Sequence, residues 1–173
     1  MVAMTRRAEG DLGACMDMAN ATTRMLLHWE PVVLSDLGSA DVYPSIFNYA
    51  FSCELYLKAI QMHRSSNCEF ARGHDLRFLF DLLEVCDRDD IRAEYERLAL
   101  DEDGTRKLWA LPFDKVIDAN RRTFEDWRYA FEKEGLRVQM SCLILLSKAI
   151  RTHACKITGY PCPTAPSLTT CED

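Results

Sequence analysis

Between Ile46 and Ile60 the chain is apolar almost all round a helical wheel. Ile46, Phe47, Ala50, Phe51, Cys53, Leu57 and Ile60 occupy most directions at about 100° per residue, the pattern of a helix enclosed by others. The rest of the chain must therefore wrap this segment. Yet Glu54, Lys58 and Gln61 fall on one narrow line of the same helix, bracketed by Phe47, Ala50, Phe51 and Leu57. A charge buried there without a partner is strongly destabilising. Glu54 and Lys58 stand four apart in the favourable acid-then-base order and can pair with each other at the edge of the core. The alternative is a polar seam that also receives groups from another helix.

That other helix is legible further on. Phe113, Ile117, Asn120, Phe124, Trp127 and Phe131 follow alternating steps of four and three, a continuous stripe interrupted only by Asn120. Asp114, Arg121, Glu125, Arg128 and Glu132 flank it, with Arg128 nearest the apolar centre. Arg128 and Glu132 have the less favourable base-then-acid order, so the sequence predicts that Arg128 reaches across to Glu54 with its planar guanidinium. The bland reading leaves Arg128 on a solvated flank. Tyr56 and Tyr129 fall beside these charges and add hydroxyl groups to the seam or to its rim.

Helical periodicity recurs along the chain and strand signals are nearly absent, which predicts an all-α fold. Helices are expected over Thr5 to His28, Pro44 to His63, Leu76 to Cys86, Ile91 to Leu98, Pro112 to Glu132 and Leu136 to Cys155. The first is weakened near Gly10 and Gly13 and ends before Pro31, and Pro44 and Pro112 suit first helical positions. Asp89 and Asp90 would start the fourth. His74-Asp75 precedes the third, where Asp75 can cap exposed N–H groups and His74, beside carboxylates, can act as acid or base near neutral pH. Residues 1–158 read as one helical domain and residues 159–173, rich in proline, as an irregular tail.

The 173 residues, 48% hydrophobic and 28% charged, suit one ordinary globular core. A net charge of -6 argues against a general nucleic-acid coat or a polybasic membrane binder, while leaving room for a local basic cleft. The residues after Met1 lack the apolar run of a secretory signal, and no uncharged run approaches the ~18 residues that span a bilayer, so a cytoplasmic protein without membrane contact is expected. Of the eight cysteines, Cys15, Cys53, Cys86 and Cys142 fall in helical apolar patterns and behave as small hydrophobes. None forms a C-x-x-C pair, and Cys155, Cys162 and Cys171 have no clustered histidines, so neither a metal nor another cofactor is expected.

Three motifs in order, Glu54-Leu-Tyr-Leu-Lys58, His74-Asp-Leu76 and Trp127-Arg-Tyr129, followed by an apolar last helix, resemble the HEPN family of small helical domains. The likeness covers roughly Tyr43 to His153. It implies an up-and-down bundle of four to five main helices with short extra ones, a homodimer, and a role in RNA cleavage, toxin-antitoxin pairs, phage defence or stress response. Catalytic members carry an arginine followed about five to seven positions later by histidine, typically in the last helix. Arg24 and His28 are one residue short of that spacing and lie on the first helix, whereas Arg151 and His153 are too close and point about 200° apart.

The leading expectation is thus a dimeric interaction module, or one binding RNA, a nucleotide or a protein partner, built on Glu54, Lys58, His74, Asp75, Asn120, Arg128, Tyr129 and Glu132. A divergent metal-independent endoribonuclease would use His74 and Arg128, with Glu54 orienting one of them. A purely structural subunit would use the seam to set helix register.

Overall fold

The segment that is apolar on every side becomes the axis of the fold. The computed structural model describes residues 7–35, 42–128 and 138–164, in the order β1 (Arg7–Glu9), α1 (Leu12–Ser35), α2 (Val42–Arg64), β2 (Glu69–Ala71), α3 (Leu76–Asp81), α4 (Val85–Leu98), α5 (Phe113–Ala119), α6 (Thr123–Arg128) and α7 (Met140–Thr158). The protein is mostly helical, with α2 packed against α1, α7, α6 and α3. Tyr56, Leu57 and Ile60 of α2 meet Leu146, Ala149 and Ile150 of α7, Phe80 of α3 and Tyr95 of α4 in the main core. A smaller cluster joins Leu26, Ile46, Tyr49, Met140, Leu143 and Ile144. Burying each large apolar side chain stabilises the fold by about 1.5–3 kcal/mol. No helix among the described residues is long and apolar enough to cross a membrane.

Several boundaries differ from the sequence expectation, each for a physical reason. Arg7–Glu9 does not begin the first helix but pairs antiparallel with Glu69–Ala71. The chain then runs so close to α2 that a Cβ on Gly10 would lie 2.7 Å from the Met62 sulfur. Asp11 starts α1 instead, its side chain accepting from Ala14 N at 3.1 Å. The helix continues through Pro31, which is exposed. α4 begins at Val85 rather than at Asp89 or Asp90, and Cys86 is exposed rather than packed in a core.

The helix expected from Pro112 to Glu132 is broken. α5 ends at Ala119 and α6 begins at Thr123; residues 129–137 lie outside those described. Two hydrogen bonds divert the backbone: Asn120 Nδ2 donates to Val116 O at 2.8 Å, and the Arg121 carbonyl accepts from Leu76 N at 2.8 Å. The stripe therefore splits. Phe113 packs against Phe80 and Tyr95, whereas Phe124 stacks on Phe47 and Phe51 of α2. α7 ends three residues later than expected, at a left-handed Gly159 (φ 75°) whose N–H donates to Cys155 O.

Candidate functional site

Glu54 is 2% exposed in the middle of α2, and its two carboxylate oxygens divide between two partners. Oε1 accepts from Lys58 Nζ at 2.6 Å, the pairing expected within the helix. Oε2 lies 2.9 Å from Nδ1 of His74, which arrives from a different part of the chain. Gly73, at φ 121°, turns the backbone after β2, and Asp75 caps α3 by accepting from Phe78 N at 3.0 Å. His74 sits between these two devices. Its ring stacks on Phe124 at 4.9 Å between centroids, and Lys58 lies over the Phe70 ring at 5.4 Å.

The His74 side chain is 43% exposed, so a buried carboxylate holds a half-open imidazole. A carboxylate only accepts hydrogen bonds, so Nδ1 carries the hydrogen and Nε2 is left as the acceptor. Among the described residues Nε2 has no hydrogen-bond partner. The pair extends to the elbow between α5 and α6: Arg121 Nε and Nη2 donate to Asp75 Oδ2 at 2.9 and 2.6 Å. Behind the seam the Cys15 thiol donates to Leu55 O at 3.3 Å; burial pushes its pKa up to about 11, with Lys58 opposing and Glu54 adding to the rise.

Of the residues the sequence groups into one seam, the structure joins Glu54 to Lys58 and His74, while Asp75, next in the chain, caps α3 and pairs with Arg121. The structure does not join the others. Arg128 is exposed at the end of α6, and the position facing Glu54 that was expected for it is taken by His74. The reason is the elbow at Asn120, which ends the long helix that would have aimed Arg128 at α2. Asn120 is buried but serves its own backbone and accepts from Thr123 Oγ1 at 3.2 Å. Gln61 bonds Leu79 O and Ala71 N, while the Tyr56 hydroxyl turns to Asn20 and Thr23 of α1. Tyr129 and Glu132 lie outside the described residues.

A second polar cluster had no sequence signal beyond a histidine on the apolar face of α7. Asp87 is 0% exposed in α4 and takes a two-pronged hydrogen bond from Arg64 of α2 at 2.7 and 3.0 Å. His153 of α7 approaches with Nε2 2.8 Å from Asp87 Oδ1 and Nδ1 3.5 Å from Asp90 Oδ2. Burial alone would raise the Asp87 pKa, but the Arg64 and His153 hydrogen bonds outweigh it and hold the carboxyl below its ordinary range. Arg64 and Asp87 also line a cavity of about 450 Å³ with Ser66, Asn67, Glu69 and Glu84. Ligand atoms of Glu84, Cys86 and Asp87 lie within 4.8 Å of one another, yet both Asp87 oxygens are already engaged.

The two clusters differ in exposure. Arg64, Asp87 and His153 tie three helices together around a fully buried carboxylate. The Glu54–His74 pair instead lies at the edge of the core, with the imidazole half open and stacked on Phe124. Comparison with family models, curated proteins and solved structures found no match.

Proposed function

We propose that the chain is a HEPN-like helical module that binds RNA or a nucleotide at the His74 edge of the polar seam and works as a homodimer in a defence or stress response. The observation that carries this reading is the half-exposed imidazole held by a buried carboxylate. A free Nε2 can accept a hydrogen bond from a ribose hydroxyl. Arg72 is exposed two residues away, and Phe47 and Phe51 are half-buried, with part of their rings available for base stacking. The overall negative charge confines such binding to this local group of cations.

One observation favours a second reading, metal-independent RNA cleavage. An imidazole oriented by a carboxylate is the arrangement of a general base: Nε2 would take the proton of the ribose 2′-hydroxyl as its oxygen attacks the adjacent phosphorus, the P–O5′ bond would break to leave a 2′,3′-cyclic phosphate, and the 5′-oxygen would leave with a proton from that imidazole or from water. Arg128 would supply cationic charge to the phosphate.

Titration of labelled single-stranded RNA and of nucleoside monophosphates into the parent, His74→Gln and Arg121→Ala proteins tests both readings, with the RNA recovered and sized afterwards. Binding should weaken by about tenfold in His74→Gln, the scale of one hydrogen bond. Cleavage lost in His74→Gln would establish the enzyme. Parent protein that neither binds nor cuts RNA or nucleotide would reduce the seam to a device for helix register.

A further inference from the structure

The outer face of α1 carries a stripe on which no other described element packs. Ala14, Met18, Ala21 and Met25 follow steps of four and three, and Trp29 stands four further on. Met18 is 52% exposed, Met25 44% and Trp29 49%; Ala14 and Ala21 are exposed too. The opposite side of α1, with Met16, Ala19, Thr23 and Leu26, is buried in the protein. Lone exposed apolar residues are ordinary, but a continuous stripe at the spacing of a helix pair marks a contact surface.

We propose that this stripe binds a second copy of the chain, α1 against α1, antiparallel about a twofold axis between Ala21 and Thr22. This deepens the homodimer reading and rests on it. The stripe is complementary to itself about that point. Met18 and Met25 lie equally far from the axis and meet each other. Ala14 and Trp29 do the same, placing the largest side chain over the smallest, while Ala21 and Thr22 let the helices approach closely.

Charge selects the same arrangement. Asp17, Arg24 and His28 share one flank of α1, within about 40° on the wheel. A twofold axis normal to the helix pair keeps that flank on the same side in both copies. Asp17 of one copy then projects between Arg24 and His28 of the other, and the contact occurs twice. A parallel pair would put this flank on opposite sides of the contact in the two copies, where Asp17 meets neither Arg24 nor His28 of its partner.

Sedimentation or light scattering on the full chain at tens of micromolar tests this, with unchanged circular dichroism and thermal unfolding showing that each variant still folds. The parent should be a dimer. Met18→Glu and Met25→Glu should each raise the dimer dissociation constant by about tenfold or more. Asp17→Arg and Arg24→Asp should each weaken the dimer, and the two together should restore it. Ala21→Cys, beside the axis, should form a cross-linked dimer under mild oxidation that the parent does not. A parent dimer insensitive to the methionine substitutions and uncross-linked in Ala21→Cys would overturn the α1 contact while leaving the homodimer standing. A monomeric parent would overturn both.

Discussion

At the scale of single residues, the carboxylate of Glu54 is tolerated in the core because one oxygen meets a lysine one turn along and the other a histidine from beyond β2. The two partners are unequal. Lys58 is largely covered, with 12% of its side chain exposed, so Lys58→Ala should leave a buried charge under-compensated and cost about 3 kcal/mol. His74 is half open to water, and His74→Ala should cost less than about 1.5 kcal/mol because solvent takes over its hydrogen bond. Arg128 is exposed, so its replacement by alanine should cost less than about 1 kcal/mol, the scale of an exposed polar contact. Urea unfolding of the three variants checks the ranking, and a loss at Arg128 matching that at Lys58 would contradict it. The seam was legible because charged side chains in an apolar helix demand partners. Which partner arrives was not, since the choice between His74 and Arg128 turns on a backbone elbow far along the chain.

At the scale of elements, that elbow is the instructive case. Steps of four and three from Phe113 to Phe131 read as one helix, and each half does bury its apolar face where it is described. The break comes from the Arg121 carbonyl being drawn to Leu76 N and from Asn120 closing on Val116. The first of these partners is distant in sequence, so no window of local periodicity contains it. Asn120→Ala should deprive the buried Thr123 hydroxyl of its acceptor, while the Val116 carbonyl keeps the backbone N–H of residue 120, and destabilise by about 1–3 kcal/mol, read as a lower midpoint in thermal unfolding. An unchanged midpoint would mean that the Leu76–Arg121 bond alone shapes the elbow. α2 was anticipated to within two residues because apolar side chains on all sides leave one way to bury it. The start of α1 was misplaced because Gly10 and the strand pairing of Arg7–Glu9 depend on β2, again a distant segment.

At the scale of the molecule, Asp87 ties α2, α4 and α7 together through Arg64 and His153. Its folded pKa is depressed, so its contribution to stability is fully present above the unfolded carboxylate range and is lost as pH falls through the folded value. Stability measured in urea from neutral pH down to about pH 3 should therefore fall more steeply in the parent than in Asp87→Asn. Parallel curves would remove Asp87 from the acid response. The small β1–β2 ribbon has a different reach, because it joins Glu9 to Glu69, sixty positions apart, through only three residues on each side. Helices can form from neighbours, whereas this closure must wait until α1 and α2 have packed. It is correspondingly the tether with least to hold it shut. Gly73 and His74 come two and three residues after that ribbon, so its pairing holds one side of the segment that carries the imidazole, and the Asp75 cap and the Leu76–Arg121 hydrogen bond hold the other.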